Sequence, residues 1–147
     1  MNQEFENRPL FRAAAFLVMR KEGKVLLHKR INTSHEEGNY GLVSGHLDGK
    51  ETAEEAIVRE AMEEAGVKVS AQDLTPVHVV HNLSGNYEYF CIFFVTEKWK
   101  GEPKNMEPDR CGDLSWFPLN NLPDNTINYI RPVLERLDQG MHYTSFR

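Results

Sequence analysis

The segment Gly45–Val67 has the sequence GHLDGKETAEEAIVREAMEEAGV and contains the strongest local structural signals in the chain. Thr52 and Glu55 have the spacing of a capping box, which predicts that a helix begins directly after Thr52. The helix is predicted to run to Ala65, because a glycine such as Gly66 readily takes the left-handed conformation that ends helices. The sequence therefore predicts one well-capped helix that carries an unusual number of glutamates.

Two of these glutamates fall on the side of the helix that should pack against the rest of the protein. At about 100° per residue, Glu60 and Glu64 lie within the apolar arc and Glu63 borders it. Buried carboxylates of like charge repel and are costly to desolvate, so a cation is expected nearby. Carboxylate oxygens spaced over one helical turn suit Mg²⁺ or Mn²⁺. The alternative interpretation is an ordinary charged helix with solvated glutamates. The apolar arc consists of Ala53, Ala56, Ile57, Ala61 and Ala65.

Seven fixed positions of the segment match the signature G-x5-E-x7-R-E-U-x-E-E-x-G-U, and the chain thereby resembles the Nudix hydrolase family. There are two departures from the family pattern. Ala61 is smaller than the usual aliphatic residue, and Ser44 stands where the family has the first of two glycines. The serine raises the question of whether the local backbone needs a conformation that only glycine adopts. The matching residues are Gly45, Glu51, Arg59, Glu60, Glu63, Glu64 and Gly66.

The resemblance implies an α/β fold, namely an α/β/α sandwich with a mixed β-sheet, and a hydrolase that uses Mg²⁺, with Mn²⁺ as a possible substitute. It implies that Arg59 pairs with Glu51, an ion pair that would fix the helix against the neighbouring loop. It also implies that either Glu60 or Glu63 is the general base. The implied metal ligands are Glu60, Glu63, Glu64 and the backbone carbonyl of Gly45 or of Ser44.

The chain resembles the MutT type of Nudix hydrolase outside the box as well. Arg30, at the end of a predicted strand, is implied as a phosphate contact, with a solvated arginine as the alternative. Glu107 is implied as a further metal ligand or base, with an exposed loop charge as the alternative. Asn125 is implied as a reader of a purine edge, although it could equally cap a helix that opens at Thr126.

Aromatic residues on a predicted strand from 87 to 98 offer a surface for a base. Alternation would place Tyr87, Tyr89 and Phe93 on one face of this strand, beside the expected cleft. We therefore predict that Tyr87 and Tyr89 contact the substrate, with core packing as the alternative.

The 147 residues, of which 40% are hydrophobic and 27% charged, predict a single domain over 1–147. The order of strands, helix, strands and a closing helix over 126–139 predicts a mixed α/β architecture. Pro132 would fit that closing helix best in its first turn. The segment 141–147 could pack on its own domain or on a second subunit, so a homodimer is possible.

The net charge of -5 argues against a general nucleic-acid binder, which needs a basic face. Apolar runs are too short for a membrane span, and the acidic start is unlike a secretory signal, so a cytoplasmic protein without a membrane partner is expected. Cys91 and Cys111 form neither a zinc motif nor a disulfide framework, which fits a reducing compartment.

By resemblance, the predicted reaction is hydrolysis of a phosphoanhydride bond in a nucleoside diphosphate derivative, a small-molecule nucleotide. A (d)NTP pyrophosphohydrolase of MutT type is the leading interpretation. The alternatives are an ADP-ribose or other nucleotide-sugar pyrophosphatase and a catalytically silent nucleotide-binding regulator.

Overall fold

The structure, a computed structural model, describes residues 3–147, so Met1 and Asn2 at the acidic start lie outside it. Besides the helices and strands, the described residues contain one 3-10 turn, Ala71–Asp73. In chain order the helices and strands are α1 Gln3–Glu6, β1 Arg12–Lys21, β2 Lys24–Arg30, β3 Tyr40–Gly41, β4 Val43–His46, α2 Ala53–Ala65, β5 Thr75–Asn82, β6 Tyr89–Thr96, β7 Cys111–Pro118, α3 Arg131–Leu134 and β8 His142–Phe146.

The eight strands form a mixed sheet in the order β3-β2-β1-β6-β5-β8, with β4 paired to β1 and β7 paired to β2. β1 runs parallel to β6, and β5 runs parallel to β8, whereas the other pairs are antiparallel. The sequence Lys21-Glu22-Gly23-Lys24 predicts a hairpin turn with the glycine at a positive φ. β1 and β2 form this hairpin, which turns at Glu22 and Gly23. The predicted mixed α/β fold is confirmed.

Alternation along β1 supplies one hydrophobic core on each face of the sheet. Phe16 and Val18 belong to the core that the segment around α3 covers, and Leu17 and Met19 belong to the core that α2 covers. The side chains of α2 that face the sheet are alanines and one isoleucine, which lets the helix approach closely. The two cores place helices on opposite faces of the sheet, as the predicted sandwich requires.

α2 has the predicted boundaries and both predicted caps. The hydroxyl of Thr52 accepts the backbone N–H of Glu55 at 3.1 Å, and the Glu55 carboxylate accepts the N–H of Thr52 at 2.9 Å. Gly66 ends the helix with φ of 66°, in the left-handed region that a glycine adopts without strain. The local sequence therefore fixes both ends of the helix that carries the glutamates.

The predicted closing helix over 126–139 is wrong in extent, because only Arg131–Leu134 is α-helical. Thr126 forms a β-bridge with Tyr40, and the flanking backbone groups hydrogen-bond to Tyr40, so this stretch is extended. Pro132 lies in the first turn of α3, where its missing N–H costs nothing.

The C-terminal segment packs on its own domain, as β8 beside β5, and the homodimer stays a prediction. Within residues 3–147, no helix is both long enough and apolar enough to cross a lipid bilayer.

Candidate active site

The end of α2, the end of β2 and the loop after β6 enclose a cavity of about 260 Å³. Three of the predicted site residues, Arg30, Glu64 and Glu107, border it although they are far apart in the sequence. The cavity is lined by His28, Arg30, Ile31, Asn32, Thr33, Glu64, Glu107, Arg110 and Cys111.

Glu64 is the most enclosed of the predicted ligands. Burial raises the pKa of its carboxyl to about 8; the hydrogen bond from the Ser44 N–H, at 3.1 Å, opposes that shift, and the nearby carboxylates of Glu60 and Glu107 add to it. Ser44 sits in β4, paired with Phe16, at a φ that is not positive, so the serine is tolerated there without backbone strain. A carboxyl group held in this way binds a proton or a cation more readily than an exposed glutamate does.

Glu60 lies directly against Gly45, and its side chain is 14% exposed. A Cβ on Gly45 would overlap the Glu60 carboxylate, so a larger residue at this position would force the Glu60 side chain to move. Burial raises the pKa of Glu60, whereas the hydrogen bond from Arg59 lowers it. The approach also brings the backbone of Gly45 beside the Glu60 carboxylate, and a metal ion shared between them stays a prediction.

Arg59 is surrounded by carboxylates. Its guanidinium lies 3.0 Å from Glu51, 2.7 Å from Glu60 and 3.7 Å from Glu63. The predicted Arg59–Glu51 pair is therefore present, and the hydrogen bond to Glu51 is the main cause that raises the pKa of Arg59. Asp48, which the sequence did not indicate, adds a further contact at 3.2 Å.

Within the described chain, no group of three or more His, Cys, Asp or Glu side chains is arranged so that it could hold a metal ion. Glu60 and Glu63 instead direct an oxygen toward Arg59, and Glu64 accepts the N–H of Ser44. The chemistry of the donor set still fits a hard divalent cation, because burial and the charges of neighbouring glutamates raise the pKa values of Glu60 and Glu64. The metal ligands stay a prediction.

Arg30 and Glu107 bring two oppositely charged groups to the same cavity. The Nε of Arg30 donates to the carbonyl of His35 at 2.9 Å, and its other end reaches the hydroxyl of Thr33 at 3.4 Å. Glu107 is half-buried, so it is not the fully exposed loop residue that the alternative interpretation describes. Its role as ligand or base is not tested by this placement.

Tyr89 and Phe93 share one face of β6, as predicted, but Tyr87 does not lie on the strand. Tyr87 lies in the loop before β6, where the guanidinium of Arg12 stacks 3.8 Å from its ring centroid. Phe93 is fully buried and stacks on Phe16 in the core. Tyr89 is in β6 and its hydroxyl lies 3.1 Å from Nε2 of His46, next to Gly45. Neither tyrosine borders the cavity, and their substrate contacts stay predictions.

Asn125 does not cap a helix, because no helix begins at Thr126. Its side-chain amide donates to the carbonyl of Gly38 at 2.8 Å and thereby fixes the end of the loop between β2 and β3. Asn125 does not border the cavity either, so its contact with a purine stays a prediction.

Three cavity residues with titratable or charged side chains, His28, Arg110 and Cys111, are not among the predicted site residues. His28 precedes Arg30 by two residues on β2, so alternation could have placed both on one face. Its Nε2 is buried without a hydrogen-bond partner in the described part of the chain. Burial, aided by the charge of Arg30, lowers the pKa of His28 to about 4, so the ring is neutral near pH 7. Arg110 borders the cavity because a turn follows Glu107.

Known proteins resemble this chain in sequence and in fold. The NUDIX domain profile matches residues 9–137. An ADP-ribose pyrophosphatase from Methanocaldococcus jannaschii is 33% identical over 106 residues, which are 72% of this chain and 61% of that protein. An 8-oxo-dGTP diphosphatase from Proteus vulgaris is 34% identical over 89 residues, or 60% and 78% of the two chains. The crystal structure of a MutT NUDIX hydrolase from Burkholderia pseudomallei superposes with a TM-score of 0.81 at 30% identity, covering 88% of this chain and 99% of the other.

A mixed sheet between helices, with a glutamate-bearing helix at a polar cavity, defines the class of MutT-like α/β domains. The chain belongs to the NUDIX family, as the motif in Gly45–Val67 predicts. It spans about three fifths of the length of the first of these relatives.

Proposed function

We propose that the protein is a hydrolase that uses a divalent metal ion to cleave a phosphoanhydride bond of a nucleoside diphosphate derivative. The observation that carries the proposal is the meeting of Glu64 from α2 with Glu107 from a distant loop, at a cavity that also contains Arg30 and Arg110. Carboxylates beside guanidinium groups suit a substrate whose phosphates are bound partly by metal and partly by arginine.

Within this class, we propose a (d)NTP pyrophosphohydrolase of MutT type. The relative from Proteus vulgaris is an 8-oxo-dGTP diphosphatase, and the structure from Burkholderia pseudomallei is a MutT NUDIX hydrolase. The second candidate is ADP-ribose or another nucleotide sugar, which the relative from Methanocaldococcus jannaschii favours. The two candidates share the phosphoanhydride and differ in the group beyond it.

Several side chains have proposed roles in holding the substrate and the site. Arg30 and Arg110 bind phosphate oxygens, since both guanidinium groups line the cavity. Arg59 and Glu51 hold β4, the following loop and α2 in one arrangement before substrate arrives. Glu60, Glu63, Glu64 and Glu107, with the carbonyl of Gly45 or Ser44, hold Mg²⁺ or Mn²⁺.

The metal ion, when bound, neutralises phosphate charge and makes water a better nucleophile near neutral pH. The oxygen of the water forms a new bond to one phosphorus, while the bond from that phosphorus to the bridging oxygen breaks and the second phosphate leaves with that oxygen. Glu60 or Glu63 accepts the proton of that water, with Glu107 as the alternative base. A nucleoside triphosphate would yield a monophosphate and pyrophosphate.

A substrate panel tests the proposal. The purified protein is incubated with (d)NTPs, oxidised purine nucleotides, ADP-ribose and other nucleotide sugars, with Mg²⁺ or with EDTA, and products are separated by ion-exchange chromatography. Pyrophosphate and monophosphate from triphosphates, only with Mg²⁺, are expected. AMP and ribose phosphate from ADP-ribose alone would select the second candidate. Tight binding of a nucleotide without turnover of any compound would contradict an enzyme and indicate a regulator.

A further inference from the structure

The loop that presents Glu107 is attached to the C-terminal end of α2. The last carbonyls of a helix lack partners within the helix. Here the N–H of Lys104 donates to the carbonyl of Ala65 at 2.9 Å, and the N–H of Met106 donates to the carbonyl of Glu64 at 3.2 Å. The backbone on either side of Asn105 is therefore held by the same helix that carries the other glutamates.

Asn105 completes the attachment with both halves of its side-chain amide. Its Oδ1 accepts the N–H of Glu107 at 3.1 Å, and its Nδ2 donates to the carbonyl of Cys111 at 2.7 Å. The carbonyl of Glu107 also accepts the N–H groups of Arg110, at 2.9 Å, and of Cys111, at 2.8 Å. A primary amide is the side chain that supplies an acceptor and a donor together. The backbone of Glu107 is thus fixed from both directions.

This arrangement fixes the direction in which the Glu107 side chain leaves the loop. Glu107 borders the same cavity as Glu64 of α2. A ligand or base works only when held within a fraction of an ångström of its productive position. A loop without the Asn105 bonds would present the same carboxylate over a wider range of positions.

We propose that Asn105 is a positioning residue for Glu107, acting through the Glu107 backbone and not through substrate. The inference rests on the proposed function for its kinetic consequences, but metal binding tests it independently. Asn105 should therefore affect turnover and Mn²⁺ binding only while residue 107 has a carboxylate to position.

The experiment compares wild type with Asn105→Ala, Glu107→Gln and the double variant. Asn82→Ala is the matched control, because Asn82, at the end of β5, accepts the N–H of Ser84 in the same manner, at 2.9 Å. The readouts are Mn²⁺ affinity by electron paramagnetic resonance without nucleotide, kcat and KM with the substrate found above, and thermal unfolding.

We expect Asn105→Ala to lower kcat by about 10-fold or more and to weaken Mn²⁺ binding several-fold, with KM changed by less than about 2-fold. The double variant should be no slower than Glu107→Gln alone, within about 2-fold, because the two residues act as a unit. Asn105→Asp, which keeps the acceptor for Glu107 and loses the donor to Cys111, should give an intermediate loss. It also provides the test if the alanine variant does not fold.

An Asn105→Ala protein that matches Asn82→Ala in kcat and Mn²⁺ affinity would overturn the inference. So would losses in the double variant that multiply, since they would show a role independent of Glu107. A wild type that binds Mn²⁺ but hydrolyses no nucleotide would contradict the proposed function alone, and the Mn²⁺ affinities would then decide the role of Asn105. A wild type that neither binds Mn²⁺ nor hydrolyses nucleotides would overturn both.

Discussion

Helix α2 and the loop from residue 104 to residue 110 bring one carboxylate each to the cavity, Glu64 and Glu107, by different means. On α2, the spacing of Glu60, Glu63 and Glu64 follows from helix geometry, and Thr52 and Gly66 fix the ends of the helix. The loop has no regular structure, and its position depends on bonds to α2 and on its own side chains. The positions of the glutamates on α2 therefore follow from a short segment of sequence, whereas the position of Glu107 depends on how distant parts of the chain pack.

On the helix side, Glu63→Gln should lower kcat by at least about 10²-fold, the scale of losing one main electrostatic group in a catalytic site. The Glu63 side chain is 52% exposed, so the variant should keep its fold and unfolding temperature. Glu54→Gln, in the first turn of the same helix, is the control and should keep wild-type turnover. If Glu63→Gln turned over substrate at the wild-type rate with Mg²⁺, Glu63 would have no role in catalysis.

Gly45→Ala tests the contact between β4 and α2. The new Cβ would overlap the Glu60 carboxylate, so Glu60 must move, and we expect a loss of about 2 kcal/mol in unfolding free energy together with reduced turnover. Gly85→Ala is the matched control, since a Cβ there meets open space at a φ that is not positive. Chemical denaturation of both proteins measures the difference, and equal stabilities would contradict the close approach.

The side of the cavity formed by β2 should respond to pH through His28. Its pKa is about 4 in the folded protein and near 6.5 when unfolded, so the unfolded chain binds the proton first. The stability that the neutral ring contributes is present above pH 6.5 and is lost as the pH falls toward 4. Between pH 7 and 5, wild type should lose about 2 kcal/mol relative to His28→Gln. Parallel stability curves for the two proteins would show that His28 is not buried.

Thr52→Ala should have the smallest effect, about 1 kcal/mol of unfolding free energy, because it removes one of the two capping-box hydrogen bonds. Ser70→Ala is the control, since Ser70 precedes the 3-10 turn without a side-chain cap. Turnover of both variants should match wild type, as neither residue touches the cavity. A Thr52→Ala protein as stable as Ser70→Ala would show that the cap contributes little.

Local signals were sufficient to predict α2 and the hairpin of β1 and β2, because a capping box and a turn act within a few residues. The Arg59–Glu51 ion pair was predicted from the resemblance to the Nudix family. The resemblance did not indicate that Arg59 also contacts Asp48, because that contact depends on how the loop before α2 folds back.

The C-terminal part was predicted less well, for a physical reason. Residues 125–127 have backbone partners at Tyr40, about 85 positions earlier, and β8 exists because it pairs with β5. Helix propensity over 126–139 cannot outweigh such pairing once the strands are formed. For the same reason Asn125 binds Gly38 and does not cap a helix.

A crystal structure of the protein grown or soaked at saturating Mn²⁺ tests the proposed metal site directly, because anomalous scattering identifies manganese. We expect a peak between Glu60, Glu63, Glu64 and Glu107, with the Glu60 carboxylate turned away from Arg59 toward the ion. Ordered carboxylates with no anomalous peak between them at saturating metal would contradict it.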